Sequence, residues 1–147
     1  MSDLTFRYDH DPSFFDKNAS RDDFGKLTLS VTTERFSGRG SFWVQWQDVT
    51  DFGNSLSTFP IRPEAPLGAR WGLLDGQGDN LALSVTIAPA NATGDLLVTV
   101  EIGQRGSKNG DRLRTSFLTN YPDIERFRRS LAQLMDGKTE QAVLHGQ

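Results

Sequence analysis

Few residues of this sequence combine a reactive side chain with a spacing that suggests chemistry. The chain has two histidines and no cysteine, so disulfides, thiolate metal sites and cysteine nucleophiles are excluded. The run Asp9-His10-Asp11 offers one imidazole and two carboxylates, all ordinary metal ligands. Because adjacent residues of a strand point to opposite faces, these three side chains would not converge on one ion. We therefore interpret the run as a solvated polar loop and predict no metal site.

Asp48 and Asp51 are the strongest candidates for acid–base catalysis. Glycoside hydrolysis uses two carboxylates in a cleft, and Trp43 and Trp46 lie close by in the sequence as possible stacking platforms for a sugar. A helix that starts here explains both acids more simply, as an N-cap and as a first-turn acid near the positive end of the dipole. No nucleophile-elbow, Walker or dinucleotide-binding pattern occurs. We predict no catalytic residue and no cofactor, and that the chain is not an enzyme.

The elements with the clearest patterns are a hairpin and the helix that follows it. Residues 26–35 and 41–47 alternate apolar and polar side chains with the period of a strand. Gly38 and Gly40 lie between them and suit a turn that needs positive φ. From residue 49 the apolar residues take helical spacing, which predicts a helix over residues 49–59 that Asp48 caps and Pro60 ends.

Further strands and a C-terminal helix complete the predicted fold. Alternation predicts strands near residues 68–74, 81–87, 96–102 and 113–117, and a shorter one near residues 4–8. Pro122 suits the first turn of a helix whose apolar stripe is Ile124, Phe127, Leu131, Leu134 and Met135. We predict an α+β fold with a single, mainly antiparallel sheet of six or seven strands. A short helix follows the second hairpin strand, and the C-terminal helix, residues 122–136, packs on the sheet.

Chain length and charge bound the organisation and the partners. The 147 residues suit a single domain, in which residues 1–25 form an irregular acidic segment and residues 138–147 a weakly ordered tail that could add an edge strand. The net charge of −3 argues against nucleic acid and anionic membranes as partners. The absence of a secretory signal and of a long apolar run predicts a cytoplasmic protein.

Three groups of residues could form a recognition surface. Trp43 would stand on the polar face of the hairpin beside threonine, serine and glutamine side chains, unless the C-terminal helix covers that face. Arg126 and Arg129 lie off the apolar stripe of that helix and form a candidate basic patch. The N-terminal segment contributes an acidic group: Asp9, Asp11, Asp16, Asp22 and Asp23.

The layout of the chain resembles a known class of bacterial domains. The resemblance rests on the segments RFSGRGSFWVQWQDVTDFGNSLSTFPI, NLALSVTI, GDLLVTVEIGQ and SFLTNYPDIERFRRSLAQLMDG, which fall within roughly residues 25–137. These are similar to small uncharacterised α+β domains that include WapI-type immunity proteins, which neutralise polymorphic toxins. The resemblance implies binding to another protein and provides no catalytic motif.

The sequence therefore predicts a non-enzymatic, immunity-like module that binds a partner protein and occludes its surface. The first alternative is a binder or enzyme for a small molecule or carbohydrate, using the aromatic face of the sheet. The second is a structural subunit that assembles with copies of itself into a homo-oligomer.

Overall fold

A computed structural model describes residues 1–12, 23–72, 82–103 and 110–147 of the chain. These residues form eight strands and two helices, in the order β1 (Asp3–His10), β2 (Phe24–Thr32), β3 (Ser37–Gln45), α1 (Trp46–Ser55), β4 (Leu67–Trp71), β5 (Leu83–Pro89), β6 (Asp95–Gly103), β7 (Arg112–Asn120), α2 (Tyr121–Met135) and β8 (Ala142–His145). The strands make two four-stranded antiparallel sheets. The first sheet has the order β3-β2-β1-β8 and the second the order β4-β5-β6-β7.

The prediction of a single sheet of six or seven strands is wrong. Alternation identifies the apolar side of each strand, but it does not say whether two strands belong to the same sheet. Here the apolar sides of both sheets contribute to one core, so the strands of each carry the same pattern. The chain passes from one sheet to the other through α1 and the proline-containing residues 60–66.

Phe6, on the inner side of β1, lies at the centre of this core. Its ring stacks on Phe52 of α1 with centroids 5.8 Å apart, and it makes edge contacts with Trp71 of β4 and Phe127 of α2 at 6.3 and 5.3 Å. One fully buried ring therefore contacts both helices and the second sheet. Aromatic pairs of this kind add about 0.5–1.5 kcal/mol each beyond the burial of their surface.

The glycines of the hairpin have a different role from the predicted one. Gly38 and Gly40 lie within β3, opposite Val31 and Leu29 of β2, and neither has positive φ. A methyl group on Gly38 would collide with Leu113, and one on Gly40 with Ile102, both side chains of the second sheet. The turn itself lies earlier, where the Thr33 N–H donates to the Phe36 carbonyl over 2.7 Å. The glycines serve close approach of the two sheets.

Helix α1 begins and ends earlier than predicted. It starts at Trp46, its N-cap is Gln45 without a side-chain hydrogen bond, and Asp48 lies within the first turn. Asp48 is therefore not the cap, and Trp46 belongs to the helix instead of the strand. After Ser55 the chain makes only shorter-range turns, since Ser57 and Thr58 donate three residues back. The helix thus ends before it reaches Pro60.

Helix α2 follows its sequence pattern closely. Its buried residues are the five of the predicted stripe, Ile124, Phe127, Leu131, Leu134 and Met135. The Asn120 side chain caps the first turn by accepting from the Asp123 N–H over 2.9 Å. The helix packs against α1, β8, β1 and β7.

The ends of the sequence are more regular than predicted. Residues 1–25 contain strand β1 and the start of β2, with residues 13–22 outside the described part, and residues 138–147 contain β8. Strand β8 pairs with β1, and the residues after it reach the second sheet, where the Gln147 N–H donates to the Leu118 carbonyl over 2.8 Å. The Thr119 hydroxyl of β7 donates to the His145 carbonyl, also over 2.8 Å. No helix among the described residues is long and apolar enough to cross a membrane.

Candidate functional site

The outward side of β1, β2 and β3 is a polar surface that no described element covers, and we call it the open face. The strand register arranges its side chains in rows that run across the three strands. Neighbouring strands are about 4.8 Å apart, so each row spans about 10 Å. The three central rows are Trp43–Lys26–Asp9, Ser41–Thr28–Arg7 and Arg39–Ser30–Thr5.

Two aromatic side chains stand on the open face. Trp43 is 62% exposed, which settles the two alternatives of the sequence in favour of an uncovered tryptophan, because α2 packs elsewhere. Phe24, at the start of β2, is 46% exposed and points to the same side as Lys26, two residues along the strand. A ring as exposed as that of Trp43 can stack against a planar ligand.

Three cations share the face with these rings. Lys26 lies directly opposite Trp43, while Arg7 and Arg39 occupy the next two rows. Among the described residues, neither Lys26 nor Arg39 forms an ion pair, and Arg7 has one long contact of 4.0 Å with the exposed Glu140. Exposed pairs of that kind contribute little, so the three positive charges remain available to an anion.

Hydroxyl groups fill the space between the charges. Thr28 and Ser41 are hydrogen-bonded to one another across the strands, with their oxygens 2.9 Å apart. Ser30 lies beside Thr28 on the same side of β2 and faces Arg39. These groups can donate and accept, so they suit the sugar and phosphate oxygens of a polar ligand as well as water.

A groove of about 840 Å³ connects the open face to the C-terminal end of α2. Besides the three cations, Asp9, Asp11 and His10 line it. The His10 ring contacts Tyr8 edge-on at 4.7 Å, and its Nε2 is 3.2 Å from the Met135 carbonyl oxygen. Burial lowers the pKa of His10, and the Met135 carbonyl and the charge of Asp9 oppose that effect. The imidazole therefore adds no full positive charge to the groove near neutral pH.

The described members of the predicted acidic group lie in two places. Asp9 and Asp11 line the groove, but the Asp23 carboxylate accepts from the Trp46 indole N–H over 3.4 Å and the Asp23 carbonyl accepts from the Trp46 N–H over 2.9 Å. Asp23 thus fixes the start of α1. Asp16 and Asp22 lie outside the described residues.

The predicted arginines of α2 are occupied within their own helix. Arg126 pairs with Asp123, and Arg129 pairs with Glu125 at 3.3 Å. Glu125 also accepts two hydrogen bonds from Arg128. These bonds lower the pKa of Glu125 to about 2, and the charge of Arg128 and the contact with Arg129 act in the same direction. Neither Arg126 nor Arg129 lines the groove.

The two catalytic candidates, Asp48 and Asp51, lie exposed on α1. Asp48 lies in the first turn instead of capping the helix, and Asp51 lies beyond that turn, so the predicted roles of cap and first-turn acid are both wrong. Within the described ranges, no three histidine, aspartate or glutamate side chains are placed to hold a metal ion. Sequence reasoning missed four residues of the open face: Phe24, Lys26, Arg7 and Arg39. The alternation of β2 already put Lys26 on the side of Thr28, but the register that brings it opposite Trp43 is a tertiary property.

Comparison with known proteins gives similarity at the level of solved structures. No protein-family model matches the chain, and no curated protein matches it in sequence. The crystal structure of WHY3 from Arabidopsis thaliana is 11% identical, with a TM-score of 0.46 over 91% of this chain and 78% of that one. The structure of the plant transcriptional regulator PBF-2 is also 11% identical, with a TM-score of 0.47 over 91% of this chain and 75% of that one.

Two predictions are corrected here. The predicted protein-binding, immunity-like function is not retained: one of the two structures is described as a plant transcriptional regulator, and neither is described as an immunity protein. The exclusion of nucleic acid as a partner is not retained either. Its physical error was to use the net charge, which averages over the whole chain, whereas the cations of the open face are locally concentrated. The resemblance to WapI-type domains stays a prediction, as does the absence of enzymatic activity.

Proposed function

We propose that the chain binds single-stranded nucleic acid on the open face. The observation that supports this most strongly is the row in which the exposed ring of Trp43 lies directly opposite Lys26. Single-strand binding combines rings on which bases stack with cations that follow the phosphates. The open face has both, and the rows with Arg7 and Arg39 extend the cationic part beyond one nucleotide.

The shape of the face favours a single strand over a duplex. In a duplex the bases are stacked on one another, so an exposed ring on a sheet has no free base to contact. Unpaired bases can stack on Trp43 while their phosphates reach Lys26, Arg39 and Arg7. The described part of the open face consists of strands and contains no helix that could enter a groove of DNA.

The negative net charge does not oppose this proposal. Phosphate contacts depend on the charges within about one Debye length, close to 8–10 Å at physiological salt, and less on the total. On the three central rows, Lys26, Arg7 and Arg39 outnumber the single acid Asp9, while Asp11 and Glu140 line the adjoining groove. We also propose the cytoplasmic location that the sequence predicts.

Fluorescence anisotropy with a labelled oligothymidylate about 20 nucleotides long tests the proposal. Thymidine strands have little structure of their own, so the measurement reports stacking and phosphate contacts alone. We expect Trp43→Ala to weaken binding about tenfold, because stacking contributes about 1–3 kcal/mol per base. Lys26→Ala should weaken it by a smaller factor.

Two matched variants control for general effects of the substitutions. Phe59→Ala removes an exposed ring that packs on Tyr121, away from the open face, and should leave binding unchanged. Arg70→Ala removes an exposed cation from the outward side of the second sheet. Absence of binding by the wild-type chain, or equal losses for Trp43→Ala and Phe59→Ala, would contradict the proposal.

A further inference from the structure

Asp9 is an acid in the middle of a surface otherwise suited to phosphate. It lies directly opposite Lys26, and Lys26 lies opposite Trp43, so the three share one row. Directly opposed side chains have Cβ atoms about 4.5–5.5 Å apart, close enough for an ion pair. Among the described residues, however, neither Asp9 nor Lys26 takes part in one. The carboxylate and the ammonium are both exposed and both open to a ligand.

A carboxylate repels phosphate, so its position beside Trp43 calls for a ligand group that donates hydrogen bonds. An ionised carboxylate only accepts, through two oxygens that match two parallel N–H groups. Guanine is the base whose Watson–Crick edge offers two neighbouring donors, N1–H and the N2 amino group, next to the O6 acceptor. Cytosine, adenine and thymine each offer one donor group on that edge. An ammonium donates only, and it suits O6.

We propose that Asp9 and Lys26 select guanine at the nucleotide that stacks on Trp43, an inference that rests on the proposed binding of single strands. The row from Trp43 to Asp9 spans two strand spacings, about 10 Å. A purine that lies on the indole therefore extends over Lys26 toward Asp9. Lys26 donates to O6, and the Asp9 carboxylate accepts from N1–H and the N2 amino group. A pyrimidine in the same place extends less far and brings one donor at most.

The other outward acid of β1 offers a natural comparison. Asp3 lies at the far end of the strand, opposite Thr32 and His145, and away from the row of Trp43. It shares strand, side and charge with Asp9 but has no tryptophan in its row and no lysine opposite it. Asp3→Asn is therefore the matched control for Asp9→Asn.

Anisotropy titrations with three strands test the inference. One is an oligothymidylate, the second carries isolated guanines, and the third carries inosine in their place, which lacks only the N2 amino group. We expect the guanine strand to bind at least about fivefold more tightly than the inosine strand, the lower range for a bidentate base contact. Asp9→Asn should abolish that preference and leave binding of oligothymidylate equal or tighter, because one negative charge is lost. Asp3→Asn should keep the preference.

The outcomes separate this inference from the function it rests on. Equal binding of all three strands by the wild-type chain overturns guanine selection and leaves single-strand binding in place. A guanine preference that survives Asp9→Asn overturns the role of Asp9. If none of the strands binds, both proposals fail together.

Discussion

The outward sides of the two sheets have the same construction and different surface chemistry. Each carries a row of hydroxyls, and the Thr99–Ser116 pair of the second sheet, with oxygens 3.0 Å apart, corresponds to the Thr28–Ser41 pair of the first. On the second sheet the exposed large residues are aliphatic, Leu97 at 38% and Leu118 at 41%, and they lie opposite one another. No aromatic side chain stands on the described part of that side.

The charges differ in the same way. On the second sheet, Arg114 lies directly opposite Glu101 and pairs with it at 3.3 Å. On the open face, Lys26 lies opposite Asp9 and Trp43, and Arg39 lies opposite Ser30. Strand alternation thus builds two similar polar surfaces. On the second sheet Arg114 is paired with the acid across from it, whereas on the open face Lys26 forms no ion pair with Asp9 among the described residues and Arg39 has a serine across from it. That difference distinguishes the face we assign to a ligand from the face we do not.

The comparison assumes that both sheets share one core, and Gly40→Val tests this with the largest expected effect. The valine side chain would collide with Ile102 and Leu83 of the second sheet, and such overpacking costs about 1–3 kcal/mol. The measurement is the midpoint of urea unfolding. Ser41→Val, the outward neighbour on the same strand, is the control and should change stability little. A stabilising Gly40→Val, as strand propensity alone predicts, would contradict the close packing of the sheets.

The salt dependence of binding sharpens the assignment of the cations. On oligothymidylate, which offers Lys26 no guanine O6, three phosphate contacts by Lys26, Arg7 and Arg39 predict a slope of log K against log salt of about −2, at roughly 0.7 per contact on a single strand. Lys26→Ala should reduce the slope to about −1.4, since two contacts remain. Arg114→Ala, on the second sheet, should not change it, because that cation lies beside Glu101. A reduced slope for Arg114→Ala would indicate that the ligand binds the second sheet and would contradict the assignment to the open face.

A smaller effect concerns pH, because a half-buried imidazole lies in the groove of the first sheet. Burial lowers the pKa of His10 in the folded chain, so the unfolded chain binds more protons there once the pH falls below about 6.5. The free energy of unfolding should therefore decrease as the pH falls through that range, and be unaffected by His10 above it. Urea unfolding of wild type and His10→Gln across this range measures the difference.

His145→Gln, which removes the exposed imidazole of β8, is the matched control for that experiment. If the wild-type chain became more stable relative to His10→Gln on acidification, the pKa of His10 would be raised by folding, and the prediction would be contradicted. The Met135 carbonyl and Asp9 would then dominate over burial.

Local features of the fold could be predicted from the sequence where one pattern had one physical cause. The apolar stripe of α2 identified all five of its buried residues because only an amphipathic helix gives that spacing. The role of Gly38 and Gly40 was predicted wrongly because glycine has two uses, positive φ and close approach, and the second depends on the opposing sheet. The number of sheets was predicted wrongly for a related reason, since inward-facing residues show the same pattern in either sheet.

The candidate site was predicted in part. Trp43 could be found because one large ring interrupts a run of hydroxyl and amide side chains. Lys26 and Arg39 could not, since their significance lies in what stands across the strand from them. Arg126 and Arg129 attracted attention as a basic patch, but Asp123 and Glu125, three and four residues away, already neutralise them.

The position of β8 has a consequence for how the molecule is made. Strand β1 is synthesised before its outer partner β8, and the bonds from Gly146 to Ser2 and from Gln147 to Leu118 also join residues that leave the ribosome at different times. Until β8 has been synthesised, one side of β1 has unpaired backbone groups, and Leu144 has not yet covered its neighbours in the core. The nascent chain therefore passes through a stage in which an unpaired strand edge can pair with other chains, and docking of β8 closes that edge.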